Sequence, residues 1–213
     1  MFSRIAPRYD ALNHLLSFNA DRRWRARAAG RVNGAHRRVL DLATGTGDLA
    51  AALARPGRTV VGADFCLDML AGARRKDPGV RLSAGDALAL PFPEATFDAV
   101  TIAFGVRNFA DLPAGLAEIK RVLRRGGLLV VLEFSQPSGA AGAAYRVYSD
   151  RVLPWIGGLL SGSPEAYRYL NRSARAWPDR AALADVLRQA GFEDVAATPM
   201  TFGVVALHTG TKR

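Results

Sequence analysis

Four carboxylates and a pair of glycines stand where a nucleotide would meet this chain. Residues 39–48 read VLDLATGTGD: an apolar run reaching Asp41, then Gly45, Thr46 and Gly47, then Asp48. Asp64 closes the next apolar run, TVVGAD at 59–64, and Asp86 closes VRLSAGD at 80–86. Glycines after a strand let a nucleotide approach the backbone, and an acid about 20 residues on accepts hydrogen bonds from ribose hydroxyls. GTGDLA at 45–50 therefore has the form of a dinucleotide fingerprint. A pyrophosphate, however, needs the free amides and positive dipole end of the following helix. Here Asp48 occupies that end, and Asp41 lies close by. Taken alone each acid also reads as a helix cap, Asp48 above all. Together they fit a nucleotide with no phosphate and with positive charge. S-adenosylmethionine has that character, with adenine, ribose, an ammonium and a sulfonium. Asp64 is then expected to take the ribose, Asp86 the adenine amino group, and Asp41, Gly45, Thr46 and Gly47 to bind the cofactor at the glycine loop.

These residues need a scaffold that brings strand ends together. Strand-type runs fall at 39–43, 59–64, 80–86, 97–104 and 128–134. Between them, helical patterns occupy 48–56, 67–76 and 112–125. The last of these has Leu116, Ile119, Val122 and Leu123 on one face, with Gly126 and Gly127 expected to stop it. Short strands alternating with helices imply a doubly wound parallel sheet covered on both faces. After Trp177 a further helix aligns Leu183, Val186, Leu187 and Ala190 and ends at Gly191. Strands near 194–199 and 203–210 follow too closely for a crossover, so an antiparallel hairpin is expected at the sheet's edge. The expected fold class is α/β, a Rossmann-like class I methyltransferase sheet, mostly parallel with a C-terminal antiparallel hairpin. Within a single domain, residues 1–38 read as a basic helical cap, and 39–134 with 178–213 as the core. Residues 135–177 read as an aromatic helical insertion, either a lid or extra packing. It contains Tyr145, Tyr148, Trp155, Tyr167, Tyr169 and Trp177.

Composition narrows the function classes. The single cysteine, Cys66, excludes an intramolecular disulfide and a cysteine-rich metal cluster, and no metal is expected. The longest suggestive apolar stretch, VLPWIGGLL at 152–160, is too short to span a bilayer, and MFSRIAPRYD lacks the apolar region of an export signal. A cytoplasmic location is expected. Residues 1–38 hold nine arginines against Asp10 and Asp21, within a formal charge of +10. Such an excess attracts RNA or an anionic membrane, or is simply a solvated face.

Several segments resemble the ubiquinone/menaquinone biosynthesis C-methyltransferases. They are FSRIAPRYDALNHLLSF at 2–18, VLDLATGTGD at 39–48, ALPFPEATFDAVTIAFGVRN at 89–108 and RVLRRGGLLVVLEFSQP at 121–137. YSDRVLPWIG at 148–157, EAYRYL at 165–170 and GVVALHTGTK at 203–212 extend the likeness over nearly the whole chain. The resemblance implies transfer of a methyl from S-adenosylmethionine to a ring carbon of a prenylated quinol, demethylmenaquinol in the menaquinone branch. It also implies cofactor contacts at Thr46, Asp64 and the Asp86–Ala87 pair. Ala103 stands where the family often has serine, so a hydroxyl contact there is lost.

Arg107 and Asn108 follow the fourth strand, where a doubly wound fold opens its site. They are assigned to the substrate hydroxyl, Arg107 stabilising a phenolate, with Asp48 as a polar or base partner. His14 is placed to face the substrate if the N-terminal segment packs over the cofactor. His36 and His208 read as surface or structural groups. The prenyl tail and the Arg-rich region together imply peripheral contact with the inner face of an anionic membrane. A homo-oligomer is compatible with all of this. The competing readings are methylation of a benzoquinol and a non-catalytic regulator that senses S-adenosylmethionine. Nucleic acid is not expected as a partner, because AFGVRN lacks the N/D-P-P-aromatic clamp of many base-directed methyltransferases and no RNA-binding module is present. A dinucleotide oxidoreductase is disfavoured by Asp48.

Overall fold

The computed structural model describes residues 14–15, 17–77, 79–137, 139, 142, 145, 147–149 and 172–213. The strands are β1 (Arg38–Leu42), β2 (Thr59–Asp64), β3 (Arg81–Ala84), β4 (Phe97–Ala103), β5 (Leu123–Phe134), β6 (Phe192–Met200) and β7 (Val205–Lys212). They form one sheet in the order β3-β2-β1-β4-β5-β7-β6. The first five run parallel, and β7 is antiparallel to both β5 and β6. The order reverses between β1 and β4, and the ligand crevice of an open α/β sheet lies at such a reversal. The expected C-terminal hairpin is present, with one refinement. Its second strand, β7, inserts between β5 and β6, so only β7 runs against the sheet.

The apolar runs are buried on both faces because successive strand residues point to opposite sides. In β5, Val130 and Leu132 join one core layer while Leu129 and Val131 join the other. The first layer is covered by helices α1 (Ala20–Arg31) and α2 (Asp48–Leu53), through Trp24, Ala28, Leu49 and Leu53. After α3 (Leu67–Lys76), helices α4 (Leu112–Val122) and α5 (Arg180–Gln189) cover the second, through Leu116, Ile119, Leu183 and Leu187. Side-chain caps start both. The Asp111 carboxylate accepts from the Ala114 amide, and the Asp179 carboxylate accepts from the Ala181 and Ala182 amides.

Helix α4 stops at Val122, four residues before Gly126, the first of the glycine pair expected to stop it. Leu123 is fully buried and pairs with Phe97, so the chain enters β5 early. Gly126 (φ +70°) and Gly127 then turn the backbone at an irregularity of the β4–β5 ladder, where a side chain on Gly127 would meet the Arg124 carbonyl oxygen at 2.8 Å.

Residues 1–13 of the expected cap, and Trp155, Tyr167 and Tyr169 of the expected insertion, lie outside the described residues. Tyr145 and Tyr148 have ring centroids 6.5 Å apart, and burial pushes the Tyr145 phenol up to about 12. Trp177 packs against the second core layer, and the Gln136 amide donates to the carbonyls of Ala174, Arg175 and Trp177. No helix among the described residues is long and apolar enough to cross a membrane.

Candidate active site

The ends of β1, β2 and β4, with the turn after β3, enclose a cleft of about 370 Å³. Small-molecule sites commonly occupy ~300–1,000 Å³. Asp41, Gly45, Thr46, Asp48, Asp64, Asp86, Ala87, Ala103 and Asn108 line it. Gly47 and Arg107 do not.

The loop after β1 is held from beneath. Asp41 is 1% exposed and accepts hydrogen bonds from the hydroxyls of Thr44 (2.6 Å) and Thr101 (2.8 Å). Burial pushes its carboxyl up to about 6 in spite of those bonds. Asp41 thus braces the loop more than it meets a ligand. Gly47 has φ +84° as the residue before α2, and a Cβ there would lie 3.3 Å from the Ala73 Cβ. Its part is to turn the chain and seat α2 against α3.

Asp64 ties two turns together. One carboxylate oxygen accepts from the Gly45 amide and the other from the Cys66 amide, each at 2.8 Å. A carboxylate offers about four lone-pair sites, so capacity remains for hydroxyls entering the cleft. Burial raises its pKa, opposed by the amides of Cys66, Gly45 and Phe65. The Gly45 amide is the kind of donor that cradles a pyrophosphate, and here it is already committed to a carboxylate. Asp86 is more open; one oxygen accepts from the Leu88 amide, shaping the turn that carries Ala87 to the cleft. Ala103 presents a methyl at the end of β4.

Asp48 faces more company than its sequence position indicated. The Lys76 ammonium donates to it, and His14 Nε2 and the Arg25 guanidinium approach its other oxygen at 3.9 and 4.0 Å. Arg25, itself a lining residue, also pairs with Asp21, and its guanidinium carbon sits 5.6 Å from the Phe104 ring centre. Neither Lys76 nor Arg25 was picked out from sequence, since nothing in a 28-residue separation marks Lys76 as the partner of Asp48.

Arg107 requires a correction. It was assigned to the substrate, but its side chain is 3% exposed and its guanidinium donates to Glu133 (2.7 Å), which is completely buried. The same nitrogen donates to the Phe104 carbonyl, and the group lies over the Phe134 ring at 5.1 Å. Burial raises the Glu133 pKa, and the Arg107 charge is the largest opposing influence. An unpaired carboxylate inside the β5 layer would be costly, so the sheet claims the guanidinium. Asn108, the next residue of the same turn, does face the cleft. His208 is structural as expected: it is fully buried in β7, with Nε2 2.9 Å from the Arg180 carbonyl oxygen.

The donor set suits a cationic nucleotide: acids stand at the strand ends, and the Gly45 amide is already bonded to Asp64. Known proteins agree with the fold and narrow the family. The chain is 57% identical over 220 residues to demethylmenaquinone methyltransferase of Thermus thermophilus, covering all of both chains. It is 50% identical to the protein of that name from Deinococcus radiodurans, covering 100% of this chain and 91% of the relative. Among solved structures, a methyltransferase from Thermotoga maritima, described as dependent on S-adenosylmethionine, superposes with a TM-score of 0.73 at 22% identity. That match covers 100% of this chain and 98% of the other. Phosphoethanolamine N-methyltransferase 2 of Haemonchus contortus, solved with S-adenosylmethionine, gives 0.60 at 17% identity over 83% of this chain and 48% of that one. The model of the ubiE/COQ5 methyltransferase family matches residues 1–212, and the chain belongs to that family.

Proposed function

We propose that this protein transfers a methyl group from S-adenosylmethionine to a ring carbon of a prenylated quinol, demethylmenaquinol, in menaquinone biosynthesis. Family membership along the whole chain, with full-length relatives carrying the demethylmenaquinone methyltransferase name, supports the reading most strongly. S-adenosylmethionine, when bound, supplies a methyl on a positively charged sulfur. Asp64 accepts the ribose hydroxyls with the lone pairs its two amide bonds leave free. Asp86 and Ala87 meet the adenine from the turn after β3. Thr46 lies buried in the loop beside them, and Asp48 neutralises Lys76, which would otherwise oppose a cationic ligand. Asn108 hydrogen-bonds a ring hydroxyl of the substrate, while Arg107 fixes the turn that presents Asn108. Holding both reactants on one rigid sheet supplies a large part of the rate enhancement, because alignment behind the methyl group is the main requirement.

The tail of such a substrate needs an apolar route. Leu15, Phe18 and Val147 are exposed, and the Phe18 ring lies 6.0 Å from that of Tyr148. We place this rim against the membrane surface, where it admits the prenyl chain.

Purified protein incubated with methyl-labelled S-adenosylmethionine and chemically reduced demethylmenaquinone should yield a labelled naphthoquinol one methyl heavier. A reduced benzoquinone in a parallel reaction should label far more slowly. Cofactor binding with no labelled quinol would leave the regulator reading in place of the enzyme.

A further inference from the structure

The His14 ring is held by one carboxylate, which two further side chains hold in turn. Its Nδ1 lies 2.7 Å from Asp21 Oδ2, and the Asp21 side chain is only 4% exposed. Ser17 donates its hydroxyl to the other Asp21 oxygen at 2.8 Å, and Arg25 pairs with Asp21 from the next turn of α1. The backbone braces the same arrangement, because the Asn19 amide donates to the His14 carbonyl at 2.7 Å. An acid this firmly placed fixes the imidazole as the tautomer with its proton on Nδ1. Nε2, on the opposite side of the ring, faces Asp48 at 3.9 Å; Asp48 and Arg25 line the cleft, and His14 adjoins it through them without lining it itself. Nε2 makes no hydrogen bond among the described residues.

We propose that His14, oriented by Asp21, is the base that takes a proton from the quinol hydroxyl next to the ring carbon that is methylated. Resting on the reading above, it supplies the proton acceptor that Arg107 and Asp48 do not. Arg107 is turned into the sheet, and Asp48 is engaged by Lys76. Three ligand-type atoms of His14, Asp21 and Asp48 lie within 4.8 Å of one another. The cations Arg25 and Lys76 already balance both carboxylates, so the cluster suits proton handling better than cation binding.

The step balances. The hydroxyl proton moves to Nε2, and the electron pair left on oxygen is delocalised to the ring carbon. That carbon forms its bond to the methyl group as the carbon–sulfur bond breaks, with the sulfur keeping the bonding pair. The ring carbon then releases its hydrogen as a proton to water, and His14 returns its own proton to the carbonyl oxygen, restoring the quinol. The groups facing the imidazole are Asp21 and Arg25 on α1, Asp48 at the start of α2, and Lys76 at the end of α3 through Asp48.

The test compares wild-type protein with His14→Ala, His14→Gln and Asp21→Asn in the labelled-methyl assay with reduced demethylmenaquinone. Binding of S-adenosylhomocysteine is measured by calorimetry on the same samples. General-base loss is expected to lower kcat by about 10²–10⁴-fold. Inhibitor affinity should stay within roughly threefold of wild type, the same range that ordinary surface changes produce. Free imidazole should restore part of the His14→Ala rate, the rescue rising with the unprotonated fraction of imidazole. Wild-type kcat in the His14 variants overturns the proposal. So does a loss without imidazole rescue in protein that still binds the inhibitor, because the ring would then be structural. Wild-type protein that labels no quinol overturns the substrate reading itself, which separates the two failures.

Discussion

Asp41 carries its carboxyl at the floor of the loop, 1% exposed and bonded to the hydroxyls of Thr44 and Thr101. With its pKa raised from 3.8 to about 6, the folded protein holds that proton over a range in which the unfolded chain has released it. Stability therefore declines as pH rises from about 4 to about 6 and is level above that, by on the order of 3 kcal/mol from this group. Asn in its place removes the titration while still bonding both threonine hydroxyls. Urea unfolding of Asp41→Asn and wild type at pH 4, 5, 6 and 7 should show the variant gaining relative stability up to about pH 6, then running parallel. Curves parallel across the whole range would mean that Asp41 titrates as an ordinary carboxyl. The sequence identified Asp41 as a site acid but not its duty, because the hydroxyl of Thr101 reaches it from β4, 60 residues away.

At the scale of elements, the strand-ending acids and the glycine loop were legible because a parallel strand buried on both faces is a nearly continuous apolar run. FDAVTIA and LLVVLEF are such runs, and the residues after them must reach the same edge of the sheet. What sequence could not give was the direction of side chains on a short turn. Val106, Arg107 and Asn108 form one 3₁₀ turn, and three residues per turn send three side chains three ways: Val106 into the core, Arg107 to Glu133, Asn108 to the cleft. The end of α4 was misplaced for a similar reason, since the pairing of Leu123 with Phe97 is a tertiary fact. Arg107 consequently acts as a clamp between the β4 turn and β5. Arg107→Ala leaves Glu133 charged and alone in a fully buried position, and should cost about 3–5 kcal/mol of stability. The double variant Arg107→Met with Glu133→Leu should recover much of that loss in chemical denaturation while turnover stays low through a loosened Asn108 turn. An Arg107→Ala protein as stable as wild type, with turnover abolished, would return the guanidinium to the substrate.

At the scale of the whole molecule, the described N-terminal residues carry both exposed arginines and the exposed apolar side chains of Leu15 and Phe18. The formal charge is +10, and Arg22, Arg23 and Arg27 are exposed on α1, close in sequence to the exposed Phe18. Charge alone did not decide between a solvated face and a partner. A substrate with a long prenyl tail favours the membrane, because the tail cannot leave the bilayer without exposing many methylenes to water at about 0.8 kcal/mol each. In the membrane contact we propose, a basic face with a small apolar rim holds the enzyme at the surface by two weak forces. They are separable, since surface attraction is screened within about 10 Å at 0.1 M salt whereas apolar insertion is not. Sedimentation with phosphatidylglycerol vesicles should therefore show binding that weakens steeply with added salt, and phosphatidylcholine vesicles should bind little. Arg22→Glu, Arg23→Glu and Arg27→Glu together should abolish the preference for anionic lipid. They should leave turnover on a short-tailed, soluble quinol unchanged, because none of the three lines the cleft. Equal binding to both lipids would reduce the basic face to solvated surface and leave the tail to enter by diffusion alone.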